Sequence, residues 1–161
     1  MRLEQRSVNE EARALLAQLE HPQWPRILIT GSRTWVSATS IRTALERLLA
    51  HYQRITVVHG DCPRGADAMA SRWAKRYRSA VVQELAVPAP WGTYGNRAGN
   101  LRNGAMVNLG AHMVLVFAMP CEKRKPWCPP GEHPSHGTAD CVQKARDADL
   151  MVKFSPEGLA W

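Results

Sequence analysis

Short apolar runs alternate with stretches of helical period along most of the chain. Ile27-Leu28-Ile29 is followed by Gly31-Ser32-Arg33, and Ile41, Ala44, Leu45, Leu48 and Leu49 then recur at helical spacing. Ile55 to Val58 leads into His59-Gly60-Asp61 and a helix carrying Ala66, Met69, Ala70, Trp73, Ala74 and Tyr77. A third strand fits Val81 to Leu85 and a third helix about Arg97 to Leu109, where Gly99 and Gly104 weaken the helical pattern. His112 to Phe117 is apolar without alternation, as in parallel strands covered on both faces. A fourth helix from about Thr138 to Ala148 leads into a last strand, Leu150 to Phe154. This order predicts an α/β, Rossmann-like, doubly wound parallel sheet of about five strands with flanking helices.

Upstream, Ser7-Val8-Asn9-Glu10 has the spacing of a capping box, predicting an amphipathic helix over 7–20 with Val8, Ala12, Leu15, Leu16 and Leu19 on one stripe. Its apolar face needs cover from the domain or from a second copy, which makes a homo-oligomer an expectation. Pro22 and Pro25 divide the chain into a helical arm, 1–25, and a domain, 26–161, whose segment 120–137 is a Cys/His/Pro-rich loop.

The 161 residues suit one core, and neither an apolar run long enough to span a membrane nor a secretion signal is apparent. The expectation is a soluble, cytoplasmic protein with no membrane partner. The formal net charge of +7 suits an anionic partner, but the 21 basic residues are scattered among 14 acidic ones. Four cysteines in such a chain argue against a disulfide framework.

In doubly wound sheets, ligands lie beyond the carboxyl ends of the strands, where strand order reverses. Gly31, Gly60, Gly65 and Gly137 each fall between a strand and a helix, where backbone N–H groups approach anions; taken singly, each also reads as a tight turn. Ser32, Arg33, Arg64, Arg97, Arg102 and Asn103 accompany them and suit phosphate. Asp61 and Asp67 follow the second strand, with a capping role favoured for Asp67. Asp140, expected in the first turn of the fourth helix, is placed to orient a ribose hydroxyl or a water. Trp91 and Tyr94 offer an aromatic face for a base, with packing over the sheet end as the alternative. His59 reads as a neutral histidine bonded to a neighbouring loop, and Met69 and Trp73 as core. The segment Gly60–Ala66 lacks the Lys-Ser/Thr pair of a P-loop ATP site, and neither a standard NAD fingerprint nor a hydrolase nucleophile elbow occurs.

The succession RILITGSR, VVHGDCPRGAD, Leu101-Arg102-Asn103 with Met106, MVLVFAMP and SHGTADCVQKARDA resembles the SLOG superfamily over about residues 26 to 154. It is closest to the YspA-like, cpYpsA-related branch and distantly similar to LOG phosphoribohydrolases and the DNA-processing protein DprA. The resemblance implies a pocket for a nucleotide or nucleotide-derived ligand. Against the LOG motif PGGxGTxxE, Gly137 and Thr138 match the phosphate-binding part, the paired glycines are replaced, and the acid is Asp140 rather than glutamate. Arg102 matches the upstream arginine. Three readings stand: a sensor or sequestering module; a hydrolase cleaving the N-glycosidic bond of a nucleoside monophosphate, with Arg102 and Asp140 as its catalytic residues; and a nucleic-acid-binding protein. No basic stripe interleaved with aromatics supports the last.

Cys121-x6-Cys128-x4-His133-x2-His136 supplies two thiols and two imidazoles, which suit a structural tetrahedral zinc. The gap between the cysteines exceeds that of a finger knuckle, and a proline-stiffened surface loop with free cysteines is the even alternative.

Overall fold

The computed structural model describes residues 2–77 and 80–161. Five strands form one sheet: β1 (Arg26–Gly31), β2 (Ile55–His59), β3 (Val82–Ala86), β4 (Met113–Phe117) and β5 (Val152–Phe154). All pairings are parallel and the spatial order is β3-β2-β1-β4-β5. The expected α/β, Rossmann-like sheet is therefore what the chain forms. Strand order runs outward from β1 to β3 and then returns to β4 on the other side of β1. The connections beyond β1 and β4 consequently diverge, opening a crevice at their carboxyl ends.

Alternation along β1 explains the two cores. Ile27 and Ile29 face a cluster with Trp35, Ile41, Leu45, Ala70 and Trp73, contributed largely by α2 (Ala38–Tyr52) and α3 (Ala66–Tyr77). Leu28 faces the opposite cluster with Val8, Ala12, Met106, Cys141 and Val142, from α1 (Leu3–Ala17), α5 (Ala98–Asn108) and α6 (His136–Asp147). β2 is buried at every position, whereas the edge strands β3 and β5 are only partly covered.

Two local expectations are corrected. α1 begins at Leu3, with Arg2 as N-cap and no side-chain cap bond, so Ser7 lies inside the helix and forms no capping box. Tertiary anchors upstream account for this: Gln5 Nε2 donates to Leu101 O at 2.9 Å, and Arg97 Nη2 pairs with Glu4 at 2.6 Å. The stripe through Val8 and Ala12 packs on the domain's own α5 and core, so this face supplies no argument for a second copy. The expected third helix forms as α5, preceded by a short α4 (Trp91–Tyr94) and a 3-10 turn (Gly95–Arg97) in which Gly95 takes φ +51°. α6 starts at His136 rather than Thr138, which moves Asp140 out of the first turn.

Candidate functional site

A cleft of about 410 Å³ lies over the carboxyl ends of β1 and β4. It brings together Gly31, Ser32, Arg33, Asp67, Arg102, Asn103, Gly137 and Thr138 from the expected set, with Arg64 and Trp91. Gly60, Asp61, Gly65, Arg97, Tyr94 and Asp140 are not among its lining residues. Arg97 is turned to Glu4, Tyr94 packs against the core, and exposed Asp61 adopts φ +56° while its N–H donates to His59 Nδ1 at 3.1 Å.

The glycines separate into packing and open positions. A Cβ at Gly31 would stand 2.6 Å from both Ala66 Cβ and Phe117 O. Gly65, at φ +75°, would collide with Ser32 O and stand 2.6 Å from Arg33 Cα, so it lets α3 approach the loop after β1. A Cβ at Gly60 would overlap the Arg102 guanidinium, which donates to Gly60 O. Only Gly137 of these four faces open space, and it does so from the cleft wall.

One relay of three hydroxyls ties the loop after β1 to α6. Ser32 Oγ accepts from Met119 N at 2.8 Å and shares a 2.9 Å hydrogen bond with Ser135 Oγ, which shares another of 2.9 Å with Thr138 Oγ1. Ser135 is the N-cap of α6 yet makes no side-chain cap bond. The first-turn amides of α6, which by helix geometry lack intrahelical acceptors, are thus presented at the cleft without a capping side chain. The pivotal position of Ser135 had no signature in the sequence, because its partner Ser32 lies 103 residues away.

Beneath the cleft floor, buried Asp67 Oδ2 accepts from Gly60 N at 3.1 Å and Cys62 N at 3.3 Å. Burial raises its carboxyl above the ordinary range, outweighing the His59 and Arg102 charges and the two amides that pull it down. His59 is buried; its Nδ1 accepts from the Asp61 N–H of the following loop, as expected, and its Nε2 bonds to Glu84 on neighbouring β3 at 2.6 Å. Burial alone would raise Glu84, but bonds from His59 and Ser71 and the charge of Lys75 hold it below its ordinary value. Arg102 Nε also donates to Asn103 Oδ1 at 3.1 Å, and Asn103 Nδ2 donates to Gly137 O at 3.2 Å and Asp140 Oδ2 at 2.9 Å. Asp140 is further paired with Lys144. Counted from Gly137-Thr138, the acid of PGGxGTxxE falls on Cys141 rather than Asp140. Cys141 is fully buried, and burial pushes its thiol up to about 11 despite a bond from Thr30.

At the cleft's other lip, Trp91 is 52% exposed and its ring lies over Gly99, where a Cβ would stand 3.3 Å away. Asn96 and Asn100 line the same side. Cationic Arg33, Arg64, Arg102 and Lys123 line the cleft against Asp67 and Glu122.

Beside the cleft, one ligand atom from each of Cys121, Cys128, His133 and His136 lies within 4.8 Å of the others, a cluster that can hold a metal ion. His136 Nε2 is 3.6 Å from Cys121 Sγ and 3.2 Å from Cys128 Sγ. His133 Nε2 is buried with no hydrogen-bond partner among the described residues. All four cysteines are free of disulfides. No described helix is long and apolar enough to cross a membrane.

The model of the YspA, cpYpsA-related SLOG family matches residues 25–94, the part of the chain running from β1 to α4. The chain is also 39% identical over 131 residues to the "Gene 61 protein" of Mycobacterium phage D29, a match covering 79% of this chain and 93% of the phage protein. The parallel sheet, its post-strand segments and these matches agree, and the chain belongs to the YspA, cpYpsA-related SLOG family.

Proposed function

We propose that the chain binds a nucleotide or nucleotide-derived ligand in this cleft, acting as a sensor or sequestering module in a cytoplasmic setting. The observation that carries this reading is the convergence of Ser32, Arg102, Gly137 and Thr138 on one cavity at the reversal of strand order. The uncapped first turn of α6 supplies amides for a phosphate, with Arg33, Arg64 and Lys123 as counter-charges. Trp91 offers an indole face to a base, and Asn96 and Asn100 offer amides to its edge. The volume suits one nucleotide better than a strand of nucleic acid.

Binding without turnover is favoured over N-glycosidic hydrolysis because Asp140 is engaged by Lys144 and Asn103 away from the cleft lining, and Arg102 is committed to Gly60 O and Asn103. We further assign a structural zinc to Cys121, Cys128, His133 and His136. Two thiols and two imidazoles are a donor set zinc favours, and the orphaned His133 Nε2 is what a metal would satisfy. Lys125 N–H donates to Cys128 Sγ at 3.1 Å, an outer contact of the kind that orients a metal ligand. When bound, the metal supplies rigidity to a loop with little apolar packing of its own; the chemistry of the cleft belongs to the protein's side chains.

Calorimetric titration with a panel of nucleoside monophosphates and diphosphates, with chromatography of the recovered ligand, tests the reading. Saturable binding that Arg102→Ala weakens, with the ligand recovered intact, is expected. Released base would establish the hydrolase instead, and the absence of binding across the panel, with salt-dependent retention on nucleic acid, would establish the third class.

A further inference from the structure

The metal cluster and the cleft share a wall. His136 is a member of the cluster, the first residue of α6 and a lining residue of the cleft. Cys121 likewise belongs to both and is followed by Glu122 and Lys123, which line the cleft. Cys128 and His133 belong to the cluster alone.

The backbone between these ligands is the backbone that aims α6. Cys121 N donates to His133 O at 2.7 Å, and Ser135 N donates to Met119 O at 3.2 Å. Ser135, set between the two histidine ligands, carries the hydroxyl relay from Ser32 to Thr138. The rest of the loop brings little to hold this arrangement: residues 122–127 are exposed, with Trp127 at 69%. Its remaining fixings are the Trp127 ring, 4.6 Å from that of His136, and exposed bonds such as Arg124 to Gly131 O and Pro129 O.

We infer that occupation of the Cys121–Cys128–His133–His136 cluster by a divalent metal of zinc's class fixes the first turn of α6 and the Lys123 side of the cleft, so that anion binding there is metal-dependent. This rests on reading the cleft as the ligand site, and it adds a regulatory input: whatever removes the metal empties the cleft. The coupling has a direct physical route, since each imidazole and thiolate that leaves the metal frees a segment ending on a cleft residue. By linkage, a cleft populated in its binding-competent form only a fraction of the time loses affinity by that fraction.

The test uses the full chain without a histidine tag, stripped by a chelator and reloaded with zinc, and compares it with Cys128→Ser and His133→Ala, which alter the cluster and leave the cleft lining untouched. With zinc alone as the probe, hydrogen exchange of amides 119–125 and 135–141 should slow by about tenfold or more in the wild type and stay unchanged in both variants. With adenosine monophosphate as the second probe, affinity should fall by about tenfold on zinc removal and in each variant, while circular dichroism reports a retained fold. Slowed exchange without nucleotide binding would support the metal's control of α6 and overturn the nucleotide reading instead. Equal exchange and equal affinity with and without bound zinc would overturn the inference, as would a chain that binds no zinc.

Discussion

Asp67→Ala removes the acceptor that closes the loop after β2. In the folded protein Asp67 Oδ2 takes hydrogen bonds from Gly60 N, in a buried setting, and from Cys62 N, partly buried. An orphaned buried donor costs about 1–3 kcal/mol, so losing both bonds should cost about 2–5 kcal/mol, a large part of the stability of an ordinary domain. Asp67→Asn is the control: its amide oxygen can occupy the position of Oδ2 and keep both bonds, so it should cost under about 1.5 kcal/mol. Urea unfolding followed by tryptophan fluorescence gives both numbers. The pH dependence separates the electrostatics. Because burial raises the Asp67 carboxyl above its ordinary value of 3.8 in the folded state, its contribution to stability is full below that value and falls as pH rises through the folded-state value. The stability of wild type relative to Asp67→Asn should therefore decline as pH rises above the ordinary carboxyl value of 3.8. A relative stability that rises with pH would overturn this, since the His59 and Arg102 charges and the two amides would then outweigh burial.

Three further outcomes follow from the same geometry. Gly60→Ala places a methyl where the Arg102 guanidinium sits; a flexible side-chain end can move aside, so calorimetry should show ligand affinity falling as in Arg102→Ala while unfolding changes by less than about 1 kcal/mol. Trp91→Ala, at a half-exposed position, should leave the melting temperature nearly unchanged but weaken nucleotides by about 1–3 kcal/mol relative to ribose 5-phosphate in the same titration. Cys141, buried and with its thiol pushed up to about 11, should resist iodoacetamide in the folded chain at mildly alkaline pH and react only on unfolding, as peptide mass mapping would show.

The sheet was legible because its signals are local. Ile27-Leu28-Ile29 and the unbroken run ending at Phe117 can be buried on both faces only in a parallel sheet, and each was followed by a helical period. Helix starts were less legible where tertiary contacts decide them. Gln5 and Glu4 extend α1 past the apparent cap at Ser7 by contacts to Leu101 and Arg97 that no local pattern encodes. The glycines after the strands were visible, but their reasons were not. Gly31, Gly60 and Gly65 answer to Phe117, Arg102 and Ser32, distant or across a turn, and only Gly137 is open toward the cleft. The spacing of Cys121, Cys128, His133 and His136 revealed a donor set; its sharing of His136 with the anion cleft came only from the fold.

The proposed function places an anionic nucleotide in one cavity, at the reversal of strand order. Amide and indole chemical-shift mapping of the labelled, zinc-loaded chain against nucleoside monophosphates and diphosphates tests it most directly. Saturable shifts at Ser32, Arg102, Gly137 and Thr138 are expected, with the Trp91 indole moving for base-bearing ligands only. Shifts confined to surfaces outside the cleft, or none for any nucleotide tested, would contradict it.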